Sequence, residues 1–299
     1  MLNFAAQAAR DTRLIEDYLR AHGLSADAAT AGGLADRIAR AEHFELPDGG
    51  YLFDDDLNAL AGLALRLPYP LTTIEYIGRD PAGRTLRRLG LCSEFLDPSG
   101  ARYISVVAFV RDEGRWGIVP VAIEFSSDGW EKLSADGIPF YEFAADPDLA
   151  PPAPPRYAFR PVPLMAESAQ HVTDDRRALV EQIAAATTVA ESLLSMLSAL
   201  ACSNVTAEIA ERVDPKVNAR RIRAGKLPIW ETRVLTVLCP RTPINRTGTA
   251  SDRASPRQHL RRGHVRHLPD GRRIWVNAAI VGDPKNGRIR KFYDVRTAA

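Results

Sequence analysis

The sequence predicts an α+β protein. N-terminal helices lead into a mostly antiparallel sheet, and a long helix then leads into a basic C-terminal β-meander. Three observations carry this prediction. Helical spacing dominates the first 45 residues. β-Branched and aromatic runs dominate residues 71–125. One long apolar segment, 174–201, then precedes short strands punctuated by Pro- and Gly-containing turns.

Taken in order, Leu14 and Tyr18 follow an Ala-rich start at helical spacing, and Gly23 can close the turn because glycine tolerates positive φ. Ser25 is placed to cap a second helix running toward Ala41. Asp54, Asp55 and Asp56 precede Leu57, Leu60, Leu63 and Leu65, the pattern of a short third helix with acids in its first turn. Thr72–Ile77, Tyr103–Val110 and Trp116–Phe125 read as strands, with Asp112-Glu113-Gly114 as a turn and Gly137–Phe143 as a further strand. Residues 147–155, PDLAPPAPP, form a semi-rigid connector. The expected division is an acidic helical and β lobe at 1–146, a connector at 147–172, and a second lobe at 173–299.

Asp174 opens the long helix, whose apolar face is Leu179, Ile183, Leu193, Leu194, Leu197 and Leu200. At about 1.5 Å per residue it spans about 40 Å. Residues 182–203 are nearly uncharged, but four Ser and two Thr favour a buried core helix over a membrane span. Asp214-Pro215 starts another helix with an N-cap residue and a first-turn proline, and Gly225 ends it. Ile229–Leu238 alternates like a strand, and residues 240–258 read as a polar loop. The meander follows, with strands at Arg262–Leu268, Arg272–Val281 and Arg288–Val295. Turns at Pro269-Asp270-Gly271 and Gly282–Gly287 join them.

Apolar content of 45% and charged content of 25% place the 299 residues among soluble globular chains. Cys92, Cys202 and Cys239 are odd in number and far apart, so free thiols in a reducing, cytoplasmic setting are expected. Met1–Arg13 has no apolar signal region. The formal net charge of +2 hides a split. Residues 215–299 hold 20 Lys and Arg against 5 Asp and Glu, about +15. Residues 1–170 hold 16 against 25, about −9. The cheapest partner for such a basic block is a phosphate backbone, DNA or RNA.

Within the block, Lys216, Arg220 and Arg223 fall at i, i+4 and i+7 on one helix face, and Arg221 and Lys226 widen the stripe. On the second meander strand Ile274, Val276, Ala278 and Ile280 share a core face. Arg273, Trp275 and Asn277 share the other, which suits stacking plus phosphate contact. Arg262, Arg266, Arg288 and Arg290 extend the candidate phosphate contacts, and His264 with Trp275 would meet bases or sugars.

Catalytic signatures are weak. His259, His264 and His267 cluster without Cys, Asp or Glu at metal-ligand spacing, and no CxxC exists, so no metal or cofactor is expected. His264 as general acid or base, with Arg266 stabilising transition-state charge, would make a metal-independent nuclease. Glu75 and Glu124 sit in apolar strands and are expected as exposed acids on the sheet. No phosphate loop or Gly-x-Ser-x-Gly element is present.

VNARRIRAGKLP followed by HLRRGHVRHLPDGRRIWVNAAIVGD resembles a group of tailed-phage and prophage proteins that share Arg-Gly-His-x-Arg, a turn, a Trp-Val strand and a closing glycine. Here these are Arg262, Gly263, His264, Arg266, Trp275, Val276 and Gly282. The resemblance covers about a third of the chain and brings no assigned activity. It implies a phage or mobile-element origin. The expectation is an accessory protein that binds nucleic acid through its basic lobe. Two other readings remain: a counter-defence or host-takeover protein that binds a host protein, and the His264 nuclease.

Overall fold

The computed structural model describes residues 2–52, 65–79, 83–112, 114–127, 159–165, 176–210, 212–238, 257–261, 264–276, 279–281 and 283–288. The α+β class holds, with helices leading into a large, mostly antiparallel sheet and a long helix after it. The expected strand at 137–143, the proline-rich run and nearly all of the expected helix at 57–65 lie outside the described residues, as do 239–256 and 289–299.

Helices α1 (Phe4–Ala21) and α2 (Ser25–Arg40) are joined at Gly23, which adopts φ 80°. β1 (Glu42–Glu45) follows. β2 (Leu71–Arg79), β3 (Thr85–Leu96), β4 (Arg102–Asp112), β5 (Arg115–Ser126) and β6 (Arg160–Pro163) then pair antiparallel in succession. β1 runs parallel to β2 and to β8 (Thr232–Val237), and β7 (Val205–Ile209) lies at the edge beyond β8.

Strand alternation sends Leu89, Leu91, Val107 and Phe109 to one face. There they bury against Phe4, Ala5, Ala8, Leu34 and Ile38 of the two helices. Each large side chain removed from water in this way contributes about 1.5–3 kcal/mol. The opposite face receives α3 (Arg176–Leu200). A Cβ at Gly90 of β3 would lie 2.5 Å from Val189 Cγ1 and 3.0 Å from Ile74 Cγ1, so α3 reaches the sheet because position 90 has no side chain. Ala178–Leu200 is long and apolar enough to cross a membrane, and 67% of its most apolar window is buried inside the protein, as in a core helix.

The chain divides into two units, Met1–Ser198 with Glu208–Val234, and Ala199–Ala207 with Leu235–Ala299. This departs from the expected 1–146, 147–172 and 173–299 division. The long helix groups with the main sheet, and so does α4 (Pro215–Arg223).

In the second unit β10 (His264–His267) and β11 (Arg273–Val276) form an antiparallel hairpin around the predicted Pro-Asp-Gly turn. Asn204 borders β11, its Oδ1 accepting from Trp275 N–H at 2.7 Å and its Nδ2 donating to Trp275 C=O at 2.8 Å. β9 (Arg257–Arg261) pairs antiparallel with β12 (Ala279–Val281) and parallel with β13 (Asp283–Arg288). Two details are therefore corrected. The predicted second meander strand is shared between two sheets, Arg273–Val276 pairing with β10 and Ala279–Val281 with β9, and residues 283–288 form a strand where a turn was expected. β13 gains its place from pairing with β9, a non-local partner that local turn chemistry does not reveal.

Candidate nucleic-acid interface

α4 is short and carries no buried residue, so local bonds must hold it. The Asp214 carboxylate accepts from Lys216 N–H at 2.9 Å, Pro215 occupies the first helical position, and Gly225 at φ 65° ends the helix. Asn218 clamps the helix to the following segment. Its Oδ1 accepts from Ile229 N–H and its Nδ2 donates to Ile229 C=O, both at 2.8 Å. Arg221 Nε donates to Leu227 C=O at 2.8 Å, which removes Arg221 from the open stripe.

Lys216, Arg220 and Arg223 are exposed along the predicted face, and Lys226 is exposed beyond it. None of the four has an ion-pair partner among the described residues. Three cations on about two helical turns and a fourth just past the helix end, none of them ion-paired among the described residues, leave a local positive field open to solvent, which Asp214 at the helix start only partly offsets.

The β10–β11 hairpin presents Arg266 and His267 as exposed residues. Arg272 is paired with Asp270 at 2.7 Å, and the Arg272 backbone N–H, followed by this side-chain contact, holds the Asp270 carboxyl below its usual range. Arg273 and Trp275 are half-buried, like Ile274 and Val276, so the clean division into core and open faces does not appear on β11. Arg262 and Arg290 lie outside the described residues. His264 is placed on β10 opposite Val276 and Arg288 at the end of β13, their side chains undescribed.

Among the described residues no group of three His, Cys, Asp or Glu could hold a metal ion. Glu75 departs from the expected exposed acid. It is 1% exposed, and its Oε2 accepts from Phe4 N–H at 2.7 Å and Ala5 N–H at 3.0 Å, capping α1 from β2. Burial pushes its carboxyl up to about 7, outweighing those two donors. Glu124 is half-buried and paired with Arg160 at 2.5 Å.

The structure adds a feature that sequence reasoning missed. A pocket of about 610 Å³ opens beside α4, and Pro215, Asn218, Ala219 and Ile222 supply one wall. His43 and Trp230 line it as a stacked pair, with ring centroids 4.9 Å apart and planes 12° apart. His43 Nδ1 bonds Thr73 Oγ1 at 2.7 Å, and burial pushes the imidazole down to about 4, so it is neutral at pH 7. Neither residue sits in a motif. The one available signal was the amphipathic pattern of α4, which sets Ala219 and Ile222 beside a basic stripe. No family model, curated protein or solved structure matches the chain.

Proposed function

We propose that this chain is a phage or mobile-element accessory protein that binds nucleic acid in the host cytoplasm, with α4 as its principal phosphate-contacting element. The observation that carries the proposal is the exposed stripe Lys216, Arg220 and Arg223, without ion-pair partners among the described residues. Side chains held this way release condensed counterions when they meet phosphates, which favours binding at low salt. The exposed Arg266 and His267 and the remaining arginines of the C-terminal block supply further contacts. The C-terminal resemblance to phage proteins supports the biological setting.

The test is a salt-titrated binding assay with nuclease-treated protein and labelled duplex DNA, single-stranded DNA and RNA. Wild type binds at low salt and weakens steeply as salt rises. Joint replacement of Lys216, Arg220 and Arg223 by Ala lowers affinity and reduces the slope of log K against log salt by about 3 × 0.7 to 3 × 0.9 at most. Absence of binding by wild type at low salt overturns the proposal and favours a host-protein partner. Unchanged binding by the triple variant removes α4 from it.

A further inference from the structure

The pocket beside α4 has a chemistry that phosphate binding does not use. It is a recess of about 610 Å³, wide open to solvent, with room for a flat ring at the surface. Ala39, Ala41, Val213 and Ile222 give it apolar walls, and the stacked His43–Trp230 pair gives it an aromatic surface. Ile222 is 60% exposed, a large apolar side chain left open to solvent at the pocket. Polar groups make up nearly half of the lining. Asn218 is held by Ile229 through its Oδ1 and one Nδ2 hydrogen. What remains are the Glu42 and Glu231 carboxylates and His43 Nε2, which has no hydrogen-bond partner among the described residues. Glu42 is tied to Arg233 at 3.0 Å, whereas Glu231 is exposed.

Aromatic and apolar surfaces with carboxylate acceptors suit a flat heterocycle with N–H donors on its edge, and they repel a bare phosphate. The helix supplies the connection. Lys216, Arg220 and Arg223 each directly follow the pocket residues Pro215, Ala219 and Ile222, so the stripe lies about 100° around the helix from the pocket wall. A chain whose phosphates track the stripe can therefore turn a base toward the pocket mouth.

We propose that this pocket receives an unpaired base of single-stranded nucleic acid, with a preference for bases that carry an exocyclic amino group. The inference rests on the nucleic-acid reading above and narrows it to single strands. Duplex bases are stacked and paired, so they cannot enter. A cytosine or adenine amine can donate to Glu231 from the outer corner of the base, whereas thymine offers only its N3–H, flanked by two carbonyls that face the same carboxylate unfavourably.

The experiment compares labelled dC12, dT12 and a mixed-sequence duplex at several salt concentrations. The proteins are wild type, Ala219→Phe, Ile222→Gln and Glu231→Gln. Positions 219, 222 and 231 are exposed, and the first two changes obstruct or roughen the pocket without altering charge. Circular dichroism and thermal midpoints establish that each variant folds. Wild type prefers dC12 over the duplex by about tenfold, the scale of one base stacked on an aromatic. Ala219→Phe and Ile222→Gln lose that preference and keep the salt slope, and Glu231→Gln narrows the dC12 to dT12 ratio. Equal preference in wild type and in both pocket variants overturns the pocket proposal and leaves the stripe intact. Loss of binding only in the Lys216, Arg220 and Arg223 variant separates the two further, and no binding by wild type to any probe overturns both.

Discussion

Two buried titratable side chains give the protein opposed pH responses. Glu75 lies in the middle of β2 beneath the first turn of α1, near Glu45, and its folded-state carboxyl is raised from 4.5 to about 7. A raised acid means that the folded state holds more protons than the unfolded state between those values, so stability falls as pH rises through that window. His43 is lowered from 6.5 to about 4, so the unfolded state holds more protons there and stability rises with pH across that interval. The two effects oppose each other up to about 6.5, and above it only the Glu75 effect remains. Each shift corresponds to something on the order of 3 kcal/mol across its full window. Glu75→Gln keeps an acceptor for Phe4 and Ala5 N–H and removes the titration. Urea midpoints at pH 5.5, 6.5 and 7.5 then show a decline for wild type above 6.5 that the Gln variant lacks. Parallel pH dependence in the two proteins would exclude Glu75 as its source.

At the scale of elements, α4 depends on its cap, together with the Asn218 and Arg221 bonds, because none of its residues is fully buried. Asp214 holds the helix start, but it also sets a negative charge at the foot of the basic stripe. Asp214→Asn keeps the cap and removes the charge, so nucleic-acid affinity rises by a few-fold. Asp214→Ala loses a cap worth about 1 kcal/mol, enough to fray a short surface helix, so affinity falls although the same charge is gone. Hydrogen exchange of the amides at 216–220 accompanies the binding assay. Equal affinity changes in the two variants would show that only charge matters. This helix was legible because its signals are local, in Asp-Pro at one end and Gly225 at the other. β2, β4 and β5 were legible for the same reason, from their β-branched and aromatic runs. β3 was not, since Arg87, Arg88 and Gly90 interrupt its pattern, and the tightest neighbour that explains Gly90 is Val189, about 100 residues later. β1 is four residues long and exists by parallel pairing with β2 and β8. The pocket shares this fate, because His43 and Trp230 are brought together by that same pairing.

For the whole molecule, the charge split was readable by counting, while the division into units was not. It depends on which elements α3 and α4 pack against, and these lie far apart in sequence. The split also separates two ideas about binding. If net charge drove association, the near-neutral total of +2 would support little of it, and it would vanish above the sequence pI of about 8.5. If local clusters drive it, the total is irrelevant. Of the 20 basic residues at 215–299, 16 are arginines. Arginine stays protonated beyond pH 12 and lysine titrates near 10.4, so the block keeps nearly all its charge at about pH 9.5. Glu75 and His43 have both finished titrating by then, so neither alters stability between pH 8 and that point. Single-stranded DNA made of cytosine alone does not titrate in this range, which makes it the suitable probe. The expected outcome is a nearly equal affinity and an equal salt slope at pH 7.5 and at about pH 9.5, although the molecule as a whole has passed from positive to negative. A collapse of affinity on crossing the pI, with the fold intact by circular dichroism, would refute the local-cluster account and with it the assignment of α4 as the contact surface.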